Sequence, residues 1–191
     1  IISESGISVG NNSITFSGVT SSNVGSIYVQ GLSQGTTSLT VTASGYNDGN
    51  NTVAVVPSGF IIGSPANINT TSFSSNSSVQ VRSYRLNPTN LTLVAVQDVR
   101  GGLDVNVPIT SSDNNIGVMT NSPLVFNGIN FANSGFDPIA AGNTQIAITQ
   151  PSGFSIPSNG NQSITATITA PDINVNDLNV GEDLQQVISI N

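Results

Sequence analysis

Short runs of alternating apolar and polar residues recur along the chain, and no stretch spaces its apolar residues three to four apart over three turns. The alternation is clearest in Ser38-Leu39-Thr40-Val41-Thr42 and Thr165-Ala166-Thr167-Ile168-Thr169. It is the pattern of a strand with one buried face and one wet face. Similar runs rich in Val, Ile, Thr and Phe, bounded by Gly, Asn, Ser or Pro, predict twelve segments. They are Ser13–Phe16, Gly25–Val29, Ser38–Ala43, Thr52–Val56, Val79–Arg85, Thr92–Asp98, Leu103–Ile109, Gly117–Thr120, Leu124–Asn127, Thr144–Thr149, Gln162–Thr169 and Asp183–Ile190. Strands this short and frequent predict an all-β sandwich.

The pattern also repeats. Gly6 through Ile14-Thr15-Phe16-Ser17-Gly18 matches Gly117 through Leu124-Val125-Phe126-Asn127-Gly128. Gly35 through Leu39-Thr40-Val41-Thr42 matches Gly142 through Ile146-Ala147-Ile148-Thr149, and Gly45-Tyr46 falls on Gly153-Phe154. Gly49-Asn50-Asn51-Thr52-Val53 falls on Gly160-Asn161-Gln162-Ser163-Ile164, and each copy runs on to a proline, Pro57 or Pro171. The matches keep their order at an offset of about 110 residues, the size of one immunoglobulin-like sandwich. The expected fold is therefore a tandem of immunoglobulin-like antiparallel β-sandwiches. Residues 57–170 make one complete module. Residues 1–56 make the C-terminal half of a preceding module, or a small β domain of their own. Residues 171–191 supply a linker and the first strand of a following module, or a donor strand. Phe16, Phe126, Tyr46 and Phe154 recur in register and are expected core anchors.

Composition narrows the function. Charged residues are 7% of the chain against roughly 25% in ordinary soluble domains, so Ser, Thr, Asn and Gly must carry solubility. Net charge is −7, with Arg82, Arg85 and Arg100 the only cationic side chains. That is no footprint for a nucleic acid, and it gives no electrostatic hold on anionic lipid. No apolar run reaches the ~20 residues that span a bilayer; the longest, Val53 to Ile62, is interrupted by Pro57 and Gly59. Direct membrane insertion is not expected. Cysteine is absent, as is lysine. Few sites for trypsin-like cleavage suit an extracellular or cell-surface location.

The stretch Ile109-Thr110-Ser111-Ser112-Asp113-Asn114-Asn115-Ile116-Gly117-Val118 resembles the Thr-Ser-Ser-Asp segment of bacterial immunoglobulin-like modules, the tandem repeats of surface and adhesin proteins. A proline, a short strand (Leu124–Phe126) and Gly142-Asn143-Thr144 follow in the order the family shows. Asn114 stands where the family has proline, and a longer loop, Ile129 to Ala141, interrupts the module. The resemblance implies a structural or adhesive surface role and brings no catalytic residue with it.

Without His, Cys or Lys, the His-based and Ser–Lys nucleophile systems and the His or Cys metal sites have no members. The ten acidic residues lie in turns or near segment ends, so the chain is not expected to be an enzyme. Calcium is the candidate cofactor, because it takes oxygen ligands. Asp172-Ile173-Asn174-Val175-Asn176-Asp177 offers Asp172, Asn174, Asn176 and Asp177, the first three on one face of an extended strand. Phe131 and Phe136, in the expected loop, are the candidate platform for stacking a surface glycan. Six Asn-X-Ser/Thr triplets occur, as an Asn- and Ser/Thr-rich chain produces without selection. The expected partners are other copies of the chain or neighbouring immunoglobulin-like modules. The leading role is a structural repeat of an extracellular fibre, filament or surface layer assembling by β-strand addition; the alternative is an adhesin or glycan-binding module.

Overall fold

The computed structural model describes residues 1–172, 180–182 and 185 of the chain, and among these it contains fifteen strands and no helix. The first four are β1 (Ile2–Ser3), β2 (Tyr28–Val29), β3 (Gly35–Val41) and β4 (Gly49–Val55). The other eleven are β5 (Ser58–Ser64), β6 (Ile68–Thr71), β7 (Ser77–Leu86), β8 (Leu93–Val96), β9 (Val105–Val107), β10 (Ile109–Ser111), β11 (Gly117–Met119), β12 (Leu124–Phe126), β13 (Phe131–Pro138), β14 (Gly142–Ile148) and β15 (Ser163–Thr169).

Residues 58–169 build a β-sandwich. One sheet runs β11-β13-β7-β5, with β8 alongside the end of β7, and the other runs β10-β14-β15-β6. The ladder of β9 with β12 adds Val105, Val107, Leu124 and Phe126 to the same core. Every strand pair is antiparallel except β6 with β15, which run parallel in register Ile68 to Ala166. Alternation along the strands supplies the inner surfaces: Val79 and Val81 from β7 face Ile146 and Ile148 from β14, with Ile164, Ala166 and Ile168 from β15. Phe60 stands among them with its ring 4.8 Å from that of Phe126 and 4.8 Å from that of Phe154. Such tilted pairs add about 0.5–1.5 kcal/mol each beyond the area they bury.

Four strands lie wholly outside the predicted segments: β1, β5, β6 and β13. The apolar run Val53 to Ile62 is divided at Pro57, with β4 before it and β5 after it. In β5 four consecutive residues, Gly59 to Ile62, are buried because the connection after β14 covers the outer face. A side chain at Gly59 would meet the Ser155 carbonyl oxygen at 2.2 Å, so only glycine fits. The expected loop Ile129–Ala141 is corrected most sharply. It holds β13, an inner strand paired with β7 on one side and β11 on the other. Its centre, Asn133-Ser134-Gly135, has no apolar alternation, and the buried Ser134 hydroxyl accepts from the Asn121 N–H at 3.2 Å.

Residues 1–56 form two separate two-stranded ladders, β1 with β2 and β3 with β4. The segment Gly6–Val9 lies across the sandwich so closely that a side chain at Gly101 would meet the Ile7 carbonyl carbon at 2.4 Å. No hydrophobic residue of this part belongs to the buried core. Ser13–Phe16, expected as a strand, is irregular. The expectation that the repeated aromatics are core anchors holds only for the second copy. Phe126 is fully buried and Phe154 packs on the core, whereas Phe16 is 40% exposed and Tyr46 80% exposed. The two phenylalanines therefore respond differently to the same truncation. Phe126→Ala lowers the unfolding free energy by about 3–5 kcal/mol in chemical denaturation, and Phe16→Ala in the monomer changes it by less than about 1 kcal/mol.

Candidate functional site

The β3–β4 hairpin and the β14–β15 hairpin are two copies of one element. All four strands are seven residues long. Repeat-matched glycines share their backbone angles: φ is 66° at Gly18 and 67° at Gly128, and 84° at Gly45 and 87° at Gly153. The ladders pair Gly35 with Val55 and Gly142 with Ile168. Anchored there, Val53 corresponds to Ala166 and Val55 to Ile168. The match of Gly49–Val53 to Gly160–Ile164 read from sequence is two residues out, because the second copy carries a longer connection, 149–162 against 42–48. A shift of two keeps each side chain on its face.

The same face has opposite fates in the two copies. On β14 and β15 the inward set Thr144, Ile146, Ile148, Ile164, Ala166 and Ile168 is buried by the opposing sheet. On the first hairpin Leu39, Val53 and Val55 are only partly covered and Val41 is 61% exposed. Each square ångström of such surface left in water forgoes roughly 25 cal/mol of burial. This uncovered face is the candidate interaction site.

Beside it, between the first hairpin and the sandwich, runs an open cleft of about 650 Å³. Tyr28 and Val55 line one wall, and Tyr84, Arg85, Arg100 and Phe154 the other. Two of the three arginines of a strongly acidic chain meet here.

The Thr-Ser-Ser-Asp segment has a structural task. The buried Thr144 hydroxyl accepts from the Asp113 N–H at 3.0 Å and lies 2.8 Å from the Ser111 hydroxyl and 3.0 Å from that of Ser112. The Ser112 hydroxyl oxygen accepts from the Gln145 N–H at 2.9 Å, and the Asp113 carboxylate accepts from the Asn115 N–H at 2.9 Å. The segment thus pins the corner between β10 and β11 onto β14. A similar junction joins the sheets at their edge, where the Gln150 side chain accepts from the Phe60 N–H at 2.9 Å and donates to the Gln162 amide oxygen at 2.8 Å.

The residues singled out from sequence are scattered. Phe131 and Phe136 lie on β13 five positions apart, so they point to opposite faces of the sheet. Phe136 is fully buried in the core and Phe131 is 47% exposed. They do not form one platform. Asp172 is exposed; Asn174, Asn176 and Asp177 lie outside the described residues, as does most of the expected donor strand Asp183–Ile190. Among the described residues no group of three acidic side chains comes together to hold a metal ion.

The architecture defines the chain as an all-β sandwich protein. No protein-family model matches the sequence, and no curated protein does. Among solved structures, the crystal structure of the S-layer protein SbsC domains 4 and 5 is similar at 15% identity with a TM-score of 0.43. The similarity covers 72% of this chain and 66% of that one, so the chain spans less than two thirds of its neighbour. It is too distant to carry a role across.

Thr144→Val, which removes the shared hydroxyl while keeping the shape, strands the Asp113 N–H and destabilises the sandwich by about 1–3 kcal/mol in urea titration. The half-buried Asp113→Asn variant, which keeps the acceptor for Asn115, stays within about 0.5 kcal/mol.

Proposed function

We propose that this chain is a structural, immunoglobulin-like module of an extracellular fibre, filament or surface layer, joined to its neighbours by β-strand addition. One observation carries the reading: the apolar face of the β3–β4 hairpin is left open where its counterpart on β14–β15 is covered by strands. An exposed strand edge beside an apolar face is a template for a further strand, whose backbone supplies hydrogen bonds and whose alternate side chains fill the open face. Composition supports the same role. A chain with few ionisable groups, no cysteine, no lysine and three arginines offers little to trypsin-like proteases or to catalysis. Electron microscopy of the purified protein, with light scattering on the eluting peak, tests the proposal. Filaments, or a mass that rises above 19.5 kDa with concentration, are expected. A monomer at every concentration overturns it.

The cleft favours a second reading, a glycan-binding module. Tyr28 and Tyr84 supply ring faces and Arg85 and Arg100 supply donors within one concave surface, the mix that holds a sugar. On this reading Tyr84→Ala lowers retention on immobilised polysaccharide at least about tenfold, equivalent to ~1.4 kcal/mol. Unchanged retention, or none by the parent chain, removes it.

A further inference from the structure

Three glycines from two loops form one bare surface on the sandwich. Gly101 and Gly102 lie between β8 and β9, and Gly128 follows β12. The loops are tied side by side. The Gly128 N–H donates to the Val99 carbonyl at 2.9 Å, and the Gly102 N–H donates to the Asn127 side-chain oxygen at 2.9 Å. The Asn127 amide donates in turn to the Asp104 carboxylate at 2.7 Å. Gly102 and Gly128 have φ of 72° and 67°, a backbone region that favours glycine. The φ of Gly101 lies outside that region, so its bare Cα has another cause. A Cβ there would meet the Ser8 nitrogen at 2.5 Å and the Gly6 carbonyl oxygen at 2.8 Å.

The segment seated on this surface is held in shape by its own bonds. The Ser3 hydroxyl accepts from the Ser5 N–H at 3.1 Å and stands 2.9 Å from the Ser8 hydroxyl, which closes residues 3–8 into an arch. The buried Gln30 side chain holds the far side, accepting from the Gly10 N–H at 2.9 Å and donating to the Ser8 carbonyl at 2.7 Å. The arch backbone rests on Gly101, while the Ile7 side chain lies against Gly128 and that of Val9 against Gly102. An element ordered in advance gives up little conformational freedom when it docks.

Residues 1–56 meet the sandwich at a second point. Pro57 is buried at the junction and its carbonyl accepts from the Leu86 N–H at 2.8 Å. Within the N-terminal region Gly31 packs on Val55, where a Cβ would meet the valine Cγ1 at 2.8 Å, so the β3–β4 hairpin is tied to the chain next to β2. A region joined to a domain at one point hinges there, and a second contact removes that motion.

We infer that Gly101, Gly102 and Gly128 form an interaction surface for the arch of residues 3–9, and that arch and seat clasp residues 1–56 to the sandwich at one fixed angle. The partner of this surface is the chain's own N-terminal region, and the inference stands without strand addition. Where units of this kind follow one another, the clasp rather than linker flexibility sets the course of the array.

Because the chain has no cysteine, spin labels go only where they are placed. Ser38→Cys on β3 and Asn143→Cys on β14 are both exposed sites. The doubly labelled protein is diluted with unlabelled protein, so that pulsed electron–electron resonance reads the distance within one chain whether or not the chain assembles. One narrow distance is expected. Adding Gly101→Ala, which clashes with the arch but not with its own backbone angles, replaces it with a broad distribution. Adding Gly49→Ala, at an exposed glycine whose Cβ would meet nothing nearer than 4.0 Å, leaves it narrow. Gln30→Ala loosens the arch from the opposite side and also broadens the distance. Retained hydrogen-exchange protection in β14 and β15 shows that the sandwich stays folded in each variant. Should Gly101→Ala lose that protection, Gln30→Ala alone decides. A broad distance in the labelled parent, or a narrow one that survives the loosening variants, overturns the clasp.

Discussion

The inner face of a two-stranded hairpin must be covered, and this constraint organises the molecule. A pair of strands alone buries too little surface to offset the conformational entropy of ordering its residues, and a hairpin becomes stable only against further strands. β14–β15 meets the requirement inside the chain, under β5, β7 and β13, with Phe60 packed between Phe126 and Phe154. β3–β4 has strands of the same length and matching positive-φ glycines, but among the described residues its inner face is only partly covered.

Polar residues do unusual work in a chain so poor in charge. Where a sandwich ordinarily leaves its corners to solvent, here hydroxyls and amides pin them: Thr144 gathers Ser111, Ser112 and the Asp113 backbone, and Gln150 with Gln162 grips the backbone of Phe60. Gln30 plays the same part in the N-terminal region, accepting from the Gly10 N–H and donating to the Ser8 carbonyl. Among the described residues no buried side-chain nitrogen or oxygen is left without a partner. Satisfied networks of this kind hold one arrangement rather than many.

Much of the fold was legible in the alternation of the chain. β3, β4, β7, β14 and β15 stand within a few residues of the segments predicted for them, because each has one apolar face and period two survives any tertiary context. The repeat was legible as well, since its glycines adopt backbone angles other residues avoid. β13 was not legible. An inner strand with both edges paired is held by its backbone ladder, and Asn133-Ser134-Gly135 needs no apolar alternation to stay there. The glycan platform failed for the same reason, since a strand sends Phe131 and Phe136 to opposite faces where a loop would have left them free to meet.

By itself, then, the sequence determined the class of structure, the period of the repeat and the exclusion of His-, Cys- and Lys-based chemistry, because these follow from residue type and local spacing. Only the tertiary structure decided which copy of the repeated surface is covered and which stands open. Identical patterns along the chain acquire different burial when one finds its partner strands and the other does not, and burial is a property of what lies opposite rather than of the residues themselves.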